Sequence, residues 1–223
     1  TGYYDTSGSA YDVTLSADGN TAFVADQDSG LQIIDVSNPA NPSLTSTLDT
    51  SGSAYSVTLS ADGNTAFIAD GSSGLQVIDV SNKASPSLTA TLDTSGEAYE
   101  VTLSADDDTA YVADGSGSLQ IIDVSNKASP SLTATFGGFS YDFHGVTLSA
   151  DGNSAFVGGY ETGLVIIDIS DPASPSTHSS LDTFGYSDGE TLSADGNTAF
   201  VADRGGGLRI MDVSNPASPS LIN

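Results

Sequence analysis

The 223-residue chain has no cysteine, no tryptophan and one methionine, and its four Lys or Arg face 29 Asp or Glu, a formal net charge of −25. Without cysteine there is no disulfide, no thiol nucleophile and no Cys-ligated zinc. Four cations cannot form the basic patch that displaces counterions from phosphates, so nucleic acid is excluded as a partner. An anionic membrane surface repels such a chain, and no apolar run approaches the roughly 18 residues of a helical span. Apolar residues at helical spacing are missing as well. The chain opens at Thr1 with neither an initiator Met nor a signal peptide, which reads as a processed or excised domain. Zero cysteine with abundant Ser, Thr, Asp and Gly suits an extracellular or cell-surface location.

What the sequence has in abundance is repetition. Val-Thr-Leu-Ser-Ala-Asp begins at Val13, Val57, Val101 and Val146, and a fifth copy begins at Glu190. Each unit reads as four short strands. In the first unit, Ala10 to Ser16 alternates and ends in the turn Ala17-Asp18-Gly19-Asn20, a strong hairpin signal because glycine accepts positive φ cheaply. Thr21 to Asp26 follows, then a Gly/Ser loop, then Leu31 to Val36, a β-branched run suited to burial on both faces. Pro39 and Pro42 break the chain before a polar fourth strand, Ser43 to Asp49, of outer-edge character.

Four strands recurring every 40–50 residues mark propeller blades. The expected fold is all-β: a single domain of residues 1–223 forming a five-bladed β-propeller, with four antiparallel strands per blade and repeats beginning near 9, 53, 97, 141 and 186. Residues 1–8, of which Thr1 to Thr6 match Thr45 to Thr50, are expected to complete the last blade. Docked on a neighbour's last blade instead, the same strand would build a head-to-tail filament.

Gly30-Leu31-Gln32-Ile33-Ile34-Asp35-Val36-Ser37-Asn38-Pro39, with its copies at Gly74 and Gly163, resembles the LVIVD repeat of bacterial and archaeal surface proteins. The turn Ser16-Ala17-Asp18-Gly19-Asn20 is similar to that of YVTN-type propellers. The resemblance implies a secreted or surface-attached propeller and supplies no catalytic residue. The scarcity of Lys and Arg in the turns departs from the family pattern.

Features shared by all units read as scaffold. Asp35, Asp79, Asp123, Asp168 and Asp212 are placed to bond the turn that follows, and Asp18, Asp62, Asp151 and Asp195 to shape hairpins. Asp26, Asp70, Asp114 and Asp203 end the second strands on the same face as Asp12 and Glu100. Two readings stand for these six: separately solvated caps, or ligands of Ca²⁺, which takes six to eight oxygens. Departures from the repeat cluster in units four and five: Tyr141, Asp142, His144, Tyr160, Glu161, Tyr186, Asp188, Glu190 and Arg204, with Gly158 and Gly159 in place of Ala-Asp. Drift in a repeat array is one reading of them. A small-ligand pocket is the other, with glycines opening space and tyrosines to stack on sugar rings.

The functional expectation is a non-catalytic extracellular or cell-surface module for adhesion, display or assembly. Its partners would be other surface proteins, glycans or copies of itself, and it would need no organic cofactor. The alternatives are a lectin-like propeller with its site at blades four and five, the filament subunit, and a metal-dependent hydrolase or lyase using His144 with nearby acids.

Overall fold

The computed structural model describes residues 2–116, 118–137, 142–159, 163–183 and 185–222. Its 20 strands form five separate four-stranded antiparallel sheets, each in sequence order, as a propeller requires. Blade one is β1 (Asp12–Leu15), β2 (Thr21–Ala25), β3 (Leu31–Asp35) and β4 (Ser43–Leu48). The inner strands of the other blades are β5 (Ser56–Leu59), β9 (Glu100–Leu103), β13 (Phe143–Leu148) and β17 (Ser187–Leu192). The strands run one to three residues shorter than their apolar patterns.

The burial gradient follows the sequence. β3 is buried along Leu31 to Ile34, whereas β4 is largely exposed. Asp35 accepts from the Ser37 amide at 2.9 Å, and Asp18 accepts from Ser16 Oγ at 2.6 Å and the Asn20 amide at 3.0 Å. Those bonds hold the Asp18 carboxyl down at about 2. Asp79, Asp123, Asp168 and Asp212 repeat the Asp35 turn.

The core lies between the blades. One face of blade one (Phe23, Ala25, Leu31, Ile33) packs on Ala54, Val57, Ala66, Ile68 and Ile78 of blade two, and corresponding clusters join blades two to three, three to four and four to five. The loop after β2 also bridges to the next blade, with Gln27 paired to Ala54. Gly71–Ala98 and Gly115–Phe143 are the equivalent bridges.

One detail differs from expectation. Residues 2–8 form no strand, and the last blade takes its outer strand, β20 (Ser220–Leu221), from the C-terminal side. β20 pairs with only the end of β19 (Gly207–Asp212). The N-terminal segment lies instead against blade one: a Cβ on Gly2 would come within 2.3 Å of the Pro39 carbonyl, and Thr6 Oγ1 donates to Asp26 at 2.6 Å. The physical reason is the hydrogen bonds at Asp26, which anchor Thr6 and Gly8 before the segment can reach β19.

Candidate functional site

The inner strands converge on the propeller axis, and one residue at the start of each, just before β1, β5 and β9 and second in β13 and β17, lines its mouth. Repeat register places Tyr11, Tyr55, Tyr99, His144 and Asp188 at one equivalent position. Four of the five form a staircase of rings. Tyr11 meets Tyr55 edge-on at 5.1 Å between centroids, Tyr55 lies tilted at 5.3 Å from Tyr99, and Tyr99 stacks on His144 at 4.1 Å and 11°. Burial, helped by a hydrogen bond to Glu97, pushes the Tyr99 hydroxyl up to about 12, so it is neutral at any physiological pH.

The next residue inward is Asp12, Ser56, Glu100, Gly145 or Gly189. Here side chains tie one inner strand to the next: Asp12 Oδ2 accepts from the Val57 amide at 2.9 Å, and Glu100 Oε2 from the Val146 amide at 3.0 Å. Together these two layers, apart from Gly145, line with Arg204 a mouth of about 550 Å³. Arg204 Nε donates to Asp188 at 2.6 Å, and His144 Nε2 lies 3.4 Å from Asp142.

One residue further in, the first four blades carry valine and blade five carries Glu190. Its carboxylate reaches into space left by two glycines of blade four. A Cβ on Gly145 would lie 2.4 Å from Glu190 Oε2, and one on Gly158 2.7 Å from it. Both Glu190 oxygens are buried without a hydrogen-bond partner; the Gly158 and Thr147 amides face them without reaching bonding geometry. Burial, then the charge of Glu100, raises the Glu190 carboxyl well above its ordinary value. Burial likewise pushes Glu100 up to about 7 against the pull of its Val146 bond, with Asp12 adding to the rise. Both glutamates adjoin the Gly145–Val146 peptide, Glu100 half-buried and Glu190 with both carboxylate oxygens buried, and the charge of Glu100 raises the Glu190 carboxyl.

The sequence-derived candidates separate into groups. Asp12, Glu100, His144, Asp188 and Arg204 meet at the mouth; Glu190 lies beneath it and Asp142 beside His144. Tyr186 does not line the mouth. Tyr141, Tyr160 and Glu161 lie outside the described residues. Asp26, Asp70, Asp114 and Asp203 are each buried and engaged locally. Asp70 accepts from Thr50 Oγ1 at 2.6 Å and the Gly52 amide at 2.9 Å, and Asp26 and Asp114 repeat the arrangement. Asp203 accepts from Thr183 at 2.9 Å and from Arg209 at 3.1 Å. Burial raises Asp70 and Asp114, and these bonds oppose the rise. Among the described residues, no group of three or more His, Cys, Asp or Glu is arranged to hold a metal ion. The tyrosines 11, 55 and 99 are the residues that sequence reasoning passed over. Their signal is the Ala-Tyr before each inner strand, which repetition makes look like scaffold.

Five four-stranded sheets packed around an axial mouth define a β-propeller. More particularly, the chain belongs to the LVIVD-repeat family: that repeat matches residues 7–50, 51–94, 95–137, 146–183 and 188–223. No curated protein matches the sequence. Among solved structures, the chain is similar to a periplasmic gluconolactonase of Pseudomonas aeruginosa, with TM-score 0.82 and 18% identity, over 96% of this chain and 69% of that one. It is also similar to a functionally unknown protein from Desulfotomaculum acetoxidans, with TM-score 0.79 and 14% identity, over 99% and 71%. The β-propeller domain of Cps50 (Swd1) from Myceliophteria thermophila gives TM-score 0.78 and 15% identity, over 98% and 72%. At these identities the likeness is one of fold. No helix is long and apolar enough to cross a membrane among the described residues.

Proposed function

We propose that this chain is a non-catalytic carbohydrate-binding module of an extracellular or cell-surface protein, and that it takes a neutral sugar at its axial mouth. The observation that carries this reading is the staircase Tyr11, Tyr55 and Tyr99 rising beside Asp12, Glu100 and Asp188 in one mouth. A sugar offers an apolar C–H face to a ring and hydroxyl donors to carboxylates, and this mouth supplies both partners in a concave site. A charge of −25 disfavours acidic sugars. The Arg204 Nε–H is paired with Asp188, which offsets part of the positive charge at the mouth.

The test is a glycan array followed by calorimetry on the best binder. Wild type is expected to bind neutral oligosaccharides, and Tyr55→Ala to weaken binding at least tenfold with an unchanged melting temperature. Binding confined to acidic glycans, or untouched by Tyr55→Ala, overturns the assignment.

A second reading rests on Glu100. A carboxyl near 7 at the mouth of a pocket is suited to general-base work, and His144 is close by. It predicts hydrolysis of a sugar lactone that rises between pH 6 and 8 and falls at least a hundredfold in Glu100→Gln. Assays with gluconolactone decide it.

A further inference from the structure

The blade interfaces repeat, and two of their half-sites have no partner. Each blade presents a forward face, which in blade one is Phe23, Ala25, Leu31 and Ile33. Each also presents a receiving face, which in blade two is Val57, Ala66, Ile68 and Ile78. The receiving face of blade one has the same residue types. Ala22, Val24 and Ile34 form a small cluster of their own with Val36, and no other blade joins it. Val13 is 58% exposed there, whereas its equivalents Val57 and Val101 are 3% exposed. On the forward face of blade five, Leu208 is 64% exposed, whereas its equivalents Leu31, Leu75, Leu119 and Leu164 are fully buried. Phe200 and Ile210 beside it are half-buried. Every successive pair of blades packs strand on strand, but blades five and one make no comparable contact.

We infer that these two faces receive a partner made of two further four-stranded blades of the same repeat, completing a seven-bladed ring. Three observations fix the occupant. The forward face of one blade and the receiving face of the next are already complementary four times over in this molecule, so the matching partner is another blade of this kind. The N-terminal segment sits where the outer strand of a preceding blade belongs. Gly2 approaches Pro39 as Ser46, in β4 of blade one, approaches Lys83 of blade two, and Thr6 bonds Asp26 as Thr50 bonds Asp70. The outer strand of that preceding blade is therefore in place without the rest of its sheet. Finally, the chain covers 69–72% of the three propellers it was compared with, and five blades are about 71% of seven. A second copy of the five-blade arc is three blades too long for that gap. The association is heterologous, face to opposite face, and closes only when the gap is filled.

The chain has no cysteine, so single-cysteine variants report each face cleanly. Val13→Cys, Leu208→Cys and the buried control Val57→Cys are labelled with a maleimide in two backgrounds. One is the 223-residue chain. The other carries residues 47–132, two blades, appended after residue 223 in register with β20. In the shorter chain, cysteines 13 and 208 are expected to react at least a hundred times faster than cysteine 57. In the longer chain all three react slowly, and the protein is a monomer with a higher melting temperature. Four results overturn the inference: a protected cysteine 13 in the shorter chain, or a reactive one in the longer chain; self-association that protects both faces, which makes a second copy the occupant; and added blades that stay unfolded beside a folded arc.

Discussion

Glu190→Gln should stabilise this protein at pH 8 and change little at pH 5. The sign follows from linkage. A carboxyl whose folded value lies above its unfolded value keeps a proton that the unfolded chain releases. Its contribution is fully present at low pH and is lost as pH rises from the unfolded value towards the folded one. For Glu100 that window runs from about 4.5 to about 7, and Glu190 shifts in the same direction because burial and the charge of Glu100 both raise it. Wild type should therefore melt at a lower temperature at pH 8 than at pH 5. The uncharged amide removes a buried acid that ionises more readily in the unfolded chain than in the fold. Against this stands the cost of burying an amide without partners, leaving a net gain of about 2 kcal/mol at pH 8, or about 4–8 °C in a chain of this size. Melts at pH 5, 6, 7 and 8 at fixed ionic strength check it. A Glu190→Gln protein that melts below wild type at pH 8 would show that the charged pair is compensated, and a bound cation would then be the first candidate.

The second large effect is expected at the buried aspartates. Asp70→Ala leaves Thr50 Oγ1 and the Gly52 amide without acceptors where the chain passes from blade one to blade two. Unmade bonds of this kind cost about 1–3 kcal/mol each, so a loss of about 3 kcal/mol and about 6–12 °C is expected. Asp26→Ala should cost less than half as much, although its bonds are the same length. It releases only residues 2–8, an end that frays, whereas Asp70 fastens a segment tethered at both ends. Equal losses in the two variants would refute the role given to the tether. Thermal denaturation followed by circular dichroism at pH 7 distinguishes them.

The fold was legible because each unit states it redundantly. The Asp-Gly turns, the Leu-Gln-Ile-Ile runs and the paired prolines each mark a boundary, and each recurs. The site was legible only in part. His144, Asp188, Glu190 and Arg204 stood out by breaking the pattern, and they do meet at the mouth or beneath it. Tyr11, Tyr55 and Tyr99 did not stand out, because a residue type repeated at one position of each unit looks like scaffold whether or not it lines the mouth. Only the direction of the inner strands separates the two cases. The aspartates ending the second strands were placed on one face by the sequence, which cannot show that each is turned inward onto a threonine. Closure by the N-terminal strand was inferred from a correct match of Thr1 to Thr6 with an outer strand. The match identifies the kind of strand, and the hydrogen bonds at Asp26 decide which blade it lies against.

Gly158 and Glu190 depart from the repeat, and with Gly145, at a position that varies between units, they form one contact. Their consequence is historical as much as physical. A side chain added at either glycine collides with the glutamate, and a valine at 190 alone leaves a void walled by two glycines. Neither Gly158 nor Glu190 can revert to the repeat consensus without harm while the other remains, and Gly145 cannot gain a side chain beside Glu190. Arrays of near-identical units ordinarily lengthen, shorten and shuffle by exchange of single units. Here a recombination breakpoint between blades four and five would separate the glutamate from its glycines, so these two blades are heritable as a pair.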